Sequence, residues 1–215
     1  MNKITLTAAA AALLACGQAG AQSMPPASDF YVVGGAGWAK HDIDGGSISS
    51  QLASLGYVGA TTSVSNDETA WRIGAGWLPH PNIGIELSYF DLGKPSYTST
   101  ATRPGSLDAS IKVTGWSIDV VPQYQFDNGF GVFGRLGYAR TESDANFTGS
   151  GAFRLAQSST SATQNGWDAG LGVSYALNRN FSVRGEWTYY PDLGDESMGG
   201  QWDANVFLIS AVWRF

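Results

Sequence analysis

Cys16 is the only cysteine in the sequence, which excludes an internal disulfide framework. Histidine is nearly as scarce, with His41 and His80 the whole supply. Charged residues make up only 14% of the 215 positions, with a net charge of −6 and no basic stripe, which excludes a nucleic-acid partner. After the first 21 residues no apolar run approaches the roughly 18 residues a spanning helix needs. A chain of this kind can cross a bilayer only as a closed barrel, because in lipid only helices and barrels satisfy every backbone N–H and C=O.

The amino terminus has the layout of a secretory signal. Met1-Asn2-Lys3 is a short positive start, Ile4–Ala15 is apolar, and Ala19-Gly20-Ala21 supplies a small-x-small cleavage site. Residues 1–21 are therefore expected to be a signal peptide, 22–28 a short tail, and 29–215 a single barrel domain. A competing reading takes Leu13-Leu14-Ala15-Cys16 as a lipoprotein box that lipidates Cys16; the bulky Leu14 weighs against it. With cleavage after Ala21 the mature protein carries no thiol, which suits an oxidising periplasm.

Aromatics and glycine are abundant, at 13% and 28 residues. Three stretches repeat one plan of strand, tight polar turn and strand. They run from Trp71 to Tyr89 around His80-Pro81-Asn82, from Trp116 to Tyr138 around Asp127-Asn128-Gly129, and from Trp167 to Tyr189 around Asn178-Arg179-Asn180. Asn, Asp, Gly and Pro are the residues such turns require. Adding strands over 30–39 and 205–215 makes eight. The polar tracts 40–66, 95–109, 143–164 and 192–203 are read as long loops. The fold expected is all-β, an eight-stranded antiparallel up-and-down transmembrane β-barrel, with short turns and both termini periplasmic and long loops extracellular. An even strand number lets the first and last strands pair and leaves no edge.

Side chains alternate along a strand, so each strand has two phases. One collects Trp71, Ile73, Trp77, Ile85, Leu87, Tyr89, Trp116, Ile118, Leu136, Tyr138, Trp167, Leu171, Trp187 and Tyr189. The other holds glycine, serine and the charges Arg72, Glu86, Asp119, Arg135, Asp168, Arg184, Glu186 and Arg214. Periodicity alone leaves open which phase points outward. An arginine facing lipid at mid-depth costs roughly 2–4 kcal/mol, so turning Arg72, Arg135 and Arg184 outward would cost on the order of 10 kcal/mol, comparable to a domain's whole stability. The apolar phase must face lipid, with Trp and Tyr forming interfacial belts. A soluble ligand-binding barrel, the main competitor, would reverse the phases. Pro122 is expected near the tight-turn rim, and Lys112 and Arg140 beyond the opposite rim among polar loops.

The four arginines and four carboxylates of the inner phase balance, and eight strands leave an interior just wide enough for side chains to fill. Two readings stay open: an ion-pair ladder that plugs the barrel, or a gate whose pairs exchange partners and pass small ions. His41 and His80 fall at opposite ends, so they share no metal or catalytic pair. His41-Asp42-Ile43-Asp44 is read as a solvated loop start. No cofactor or metal site is expected, and no enzyme; a lipid A-modifying activity is the remote enzymatic alternative.

In the last strand Phe207, Ile209, Ala211, Trp213 and Phe215 share one face and end the chain on an aromatic. This resembles the C-terminal insertion signal of bacterial outer-membrane barrels. Ile85-Glu86-Leu87-Ser88-Tyr89-Phe90-Asp91-Leu92-Gly93-Lys94, Gly134-Arg135-Leu136-Gly137, Arg184-Gly185-Glu186-Trp187-Thr188-Tyr189 and Ser210-Ala211-Val212-Trp213-Arg214-Phe215 resemble, in order, the third, fifth, seventh and eighth strands of the N-terminal transmembrane barrel of the outer-membrane protein A family. The resemblance spans about residues 29–215. It implies a monomeric, porin-like barrel of the Gram-negative cell envelope serving envelope integrity. Its implied partners are outer-membrane lipids, lipopolysaccharide and, through the C-terminal strand, the barrel assembly machinery. An adhesin-like role of the loops toward host or envelope molecules is the alternative. Val121 stands where that family's charge gate has a lysine.

Overall fold

The computed structural model describes residues 29–151, 153, 158–194, 198 and 200–215. The expected signal peptide, Cys16 and the 22–28 tail lie outside the described residues. In chain order the elements are β1 (Phe30–His41), α1 (Gly45–Ser54), β2 (Thr61–Ser65), β3 (Asp67–His80), β4 (Ile83–Asp91), β5 (Ser96–Thr100), β6 (Ser106–Gln125), β7 (Phe130–Gly149), β8 (Ser158–Ala176), β9 (Phe181–Leu193) and β10 (Trp202–Arg214). Eight of the strands form a ring in the order β1-β3-β4-β6-β7-β8-β9-β10, every neighbour antiparallel. Closure comes from β1 on β10, in register from Tyr31 opposite Arg214 to His41 opposite Ala204. No described helix is long and apolar enough to cross a membrane.

Three tight connections lie at one end, and local side chains satisfy their backbones. Asn82 N–H donates to His80 Nδ1 (3.2 Å), and Asn178 Oδ1 accepts from Asn180 N–H (2.9 Å) and Phe181 N–H (2.8 Å). Gly129 has φ of 84°, a conformation glycine adopts without strain. Pro122 lies at this end too, opposite Ile83.

The other end departs from the loops expected over 40–66, 95–109 and 143–164. Asp44 caps α1, accepting from Gly46 N–H (2.8 Å) and Ser47 N–H (3.2 Å). The short strands β2 and β5 pair with each other and extend the sheet beyond β6. β6 and β7 stay paired far past Trp116 and Tyr138, to Leu107 opposite Gly149. The last strand also starts earlier than expected, at Trp202.

The reason is an inversion of the hydrophobic phase within single strands. Between its tight-turn end and Trp116, β6 points Val120 and Ile118 outward and Asp119 and Ser117 inward; beyond Trp116 it buries Val113, Ile111, Ala109 and Leu107 and exposes Lys112 and Asp108. β7 does the same, with Leu136 and Tyr138 outward before the switch and Arg140, Glu142 and Asp144 outward after it. A wall in lipid is apolar outside, whereas the same wall in water needs its apolar side inside. Much of what was read as loop in β6 and β7 is therefore strand that has left the apolar band. Ile48 and Leu52 of α1 join the inner cluster of that extension with Tyr97, Leu107, Phe153, Met198 and Trp202.

Candidate functional site in the barrel lumen

The lumen is filled in three layers. At the tight-turn end Tyr31, Val33, Leu78 and Val212 form a small apolar cluster. The charges occupy the middle, and the larger apolar cluster that includes Phe90, Leu92, Ile111 and Tyr190 fills the long-loop side. Arg72, Glu86, Asp119, Arg135, Asp168, Arg184 and Glu186 are all buried, none more than 7% exposed.

Strand register makes room for these side chains. Arg72 lies opposite Gly35, Glu86 opposite Gly76, Asp119 and Asp168 both opposite Gly137, Arg135 opposite Gly170 and Glu186 opposite Gly172. Arg184 lies between Ser174 and Ser210. A long charged chain thus folds over a neighbour with little or no side chain, which is the use of glycine in this inner phase.

Arg135 is the hub. Its Nη1 donates to Asp119 Oδ2 (2.5 Å), and its Nη2 pairs with Glu86 and lies 3.6 Å from Glu186 Oε2. These partners come from β6, β4 and β9, so one guanidinium ties opposite walls of the ring. Glu86 also accepts from Arg184 Nη1 (2.5 Å) and from the Tyr31 hydroxyl (2.7 Å), while Arg72 pairs with Glu186. The Arg184 guanidinium packs 4.9 Å from the Phe133 ring centre and 5.3 Å from that of Tyr31. Ser117 donates to Asp119 Oδ2 at 2.9 Å. Each lost partner would strand a buried charge, at about 3–5 kcal/mol.

Two residues assigned to this network stand outside its ion pairs among the described residues. Arg214 has no carboxylate within salt-bridge distance; it lies opposite Tyr31, one residue from the chain end and at the mouth of the barrel. Asp168 is fully buried, yet neither of its carboxylate oxygens has a hydrogen-bond donor. Tyr31 was not assigned to the lumen from sequence, although it begins the inward phase of β1 together with Val33 and Gly35. Val121 is inward and fully buried, an apolar wall residue.

His41 corrects another expectation. Instead of opening a solvated loop it ends β1 with no exposed surface, its Nε2 2.9 Å from Leu92 O and its Nδ1 accepting from Trp202 Nε1 (3.3 Å). The inverted phase beyond the apolar band explains this, since inward positions there need apolar surroundings. Of the aromatic-ended face of β10, Phe207, Ile209 and Trp213 point outward at 38–53% exposure, Ala211 is outward between them, and Phe215 is exposed past the strand end.

The chain and its fold match a known group. The family model of the outer membrane protein beta-barrel domain matches residues 7–215. The chain belongs to this family. It is 25% identical over 200 residues to outer membrane protein A of Serratia marcescens and 24% identical over 201 residues to that of Klebsiella pneumoniae, covering 91% and 89% of this chain. The chain spans about half the length of these curated relatives, 52% in each case. Among solved structures it resembles the attachment invasion locus protein Ail of Yersinia pestis, with a TM-score of 0.52, 13% identity, and coverage of 87% of this chain and 99% of Ail. It also resembles OprG of Pseudomonas aeruginosa, with a TM-score of 0.52, 16% identity, and coverage of 88% and 98%. The protein is an outer-membrane β-barrel of this type, with the outward apolar band as its lipid face.

Proposed function

We propose that this barrel is a closed, non-catalytic element of the outer membrane that contributes to envelope integrity and passes at most small ions. One observation carries the reading: Arg135 joins β4, β6 and β9 across a cross-section in which every charge is buried. The apolar layers on either side of that section add two further barriers. The tight turns and both termini face the periplasm and the structured end faces outside. β10 presents its aromatic-ended face to the assembly machinery, and the barrel acts as a monomer. Lys112 and Arg140, outward just beyond Trp116 and Tyr138, suit the anionic headgroups of lipopolysaccharide.

Conductance across planar bilayers tests the plug. Purified wild type should give no unitary currents beyond a small-ion leak at neutral pH; regular single-channel steps that also carry larger solutes would overturn the reading. A second reading, adhesion through the external end, is favoured by Leu55 and Val58, apolar residues that stand 74% and 75% exposed beyond α1. Binding to host matrix that persists after replacement of residues 45–60 by a short glycine-serine linker would count against that role for this segment.

A further inference from the structure

The buried charges of the lumen do not balance. Three guanidiniums, Arg72, Arg135 and Arg184, face four carboxylates, Glu86, Asp119, Asp168 and Glu186, and the buried imidazole of His41, at the far end of β1, is engaged as a neutral group. Arg214 does not correct the deficit, because it stands at the barrel mouth without a carboxylate partner among the described residues.

The surplus is localised by geometry. Glu86 is shared by Arg135, Arg184 and the Tyr31 hydroxyl, and Glu186 by Arg72 and Arg135. Asp119 uses Oδ2 for Arg135 and Ser117 and leaves Oδ1 without a donor. Both oxygens of Asp168 lack one. The two acids meet over Gly137, which is in register with Asp119 on β6 and with Asp168 on β8. A Cβ at Gly137 would stand 2.1 Å from Asp119 Oδ1, so the orphaned oxygen lies in the space over this glycine, and Asp168, in register with the same glycine, faces the Asp119 side chain.

Two carboxylates cannot hydrogen-bond each other, since each only accepts. Like charges this close, out of contact with water, cannot both persist. We infer that Asp119 and Asp168 bind a single proton between them, carried on Asp168 and donated to Asp119 Oδ1. The proton comes from solvent and no other bond changes. It removes the surplus negative charge and turns two unsatisfied acceptors into one hydrogen bond. The groups that face Asp168 from the surrounding elements are Asp119 on β6, Arg135 on β7, Arg72 on β3 and the Tyr190 hydroxyl on β9. None of them donates to it in the structure. The inference rests on reading the lumen as a dry plug, and bilayer conductance tests that reading separately.

Infrared spectroscopy of the folded barrel in an ester-free detergent is the experiment. At neutral pH the wild type should show the C=O band of a neutral carboxylic acid, shifted by deuterium exchange and by carbon-13 labelling of aspartate. The band should vanish in Asp168→Asn, whose amide supplies the missing donor and keeps heat-dependent gel mobility. Absence of the band from wild type would overturn the inference. So would its survival in Asp168→Asn, or its loss when sodium chloride is added at constant pH, which would identify a bound cation instead. If Asp168→Asn does not fold, the wild-type labelling and salt measurements still decide the matter.

Discussion

Trp202 donates its indole N–H to Nδ1 of His41, and the opposite edge of the same ring reaches the Leu92 carbonyl. The two contacts define the tautomer: Nδ1 accepts, so the proton sits on Nε2 and is donated to Leu92. A doubly protonated ring would turn Nδ1 into a donor facing another donor. The pair fastens β10 to β1 and to the end of β4, beyond the aromatic band and outside the spanning segment.

Burial holds the His41 imidazole below its ordinary value near 6.5, against a smaller opposing effect of the Leu92 carbonyl. The unfolded ring therefore takes up a proton at a pH where the folded ring does not. Its stabilising contribution is whole above about 6.5 and is lost as pH falls toward the lowered folded value. Protection factors of the amides around His41, Leu92 and Trp202, corrected for the intrinsic exchange rate at each pH, should fall on acidification, while those of the mid-barrel strands stay high. Above about pH 6.5 His41→Leu should loosen the same region by about 1–3 kcal/mol, because it strands the buried Trp202 N–H, and the gap to wild type should shrink as pH falls; urea unfolding read by tryptophan fluorescence measures the loss.

Phase inversion along β7 predicts opposite tolerance to one substitution on the same outer face. Leu136→Arg, on the lipid side of Tyr138, should destabilise by roughly 2–4 kcal/mol near mid-depth. Glu142→Arg, on the aqueous side, should leave unfolding in urea unchanged. Equal effects at the two positions would show that the apolar band extends past Arg140.

Glycines that hold lumen rings should not accept even a methyl group. A Cβ at Gly76 would fall 2.1 Å from Cζ of Tyr31, whose hydroxyl is held by Glu86. Gly76→Ala should therefore displace the ring and cost about 1–3 kcal/mol through overpacking. Gly34→Ala, on the outward phase of the neighbouring strand with nothing within 4 Å, is the control and should be neutral. Equal urea midpoints for the two variants would refute this account of the inner glycines.

Much of the barrel was legible along the chain because period-two alternation is local. The three Trp-to-Tyr hairpins, the outward Leu87, Leu136 and Leu171, and the inward Arg72, Arg135 and Arg184 all follow from alternation plus the cost of an arginine in lipid. The extension was not legible. In β6 the inward run Leu107, Ala109, Ile111 and Val113 alternates as regularly as the outward Ile118 and Val120, but in the opposite phase, and the serines and threonines around it read as loop. Only knowing where the apolar band ends explains the switch at Trp116.

Local sequence also determined which residues would be charged and which would be glycine, since both carry their physics with them: an ion avoids lipid, and a residue without a Cβ leaves space. Tertiary structure alone decided who meets whom. Arg135 finds Glu86, Asp119 and Glu186 because the register of β4, β6, β7 and β9 brings them to one level of a closed ring. Asp168 is left without a hydrogen-bond donor, and the same register sets it beside Asp119 across Gly137. Matching numbers of positive and negative side chains say nothing about pairing; in a buried lumen, distance decides it.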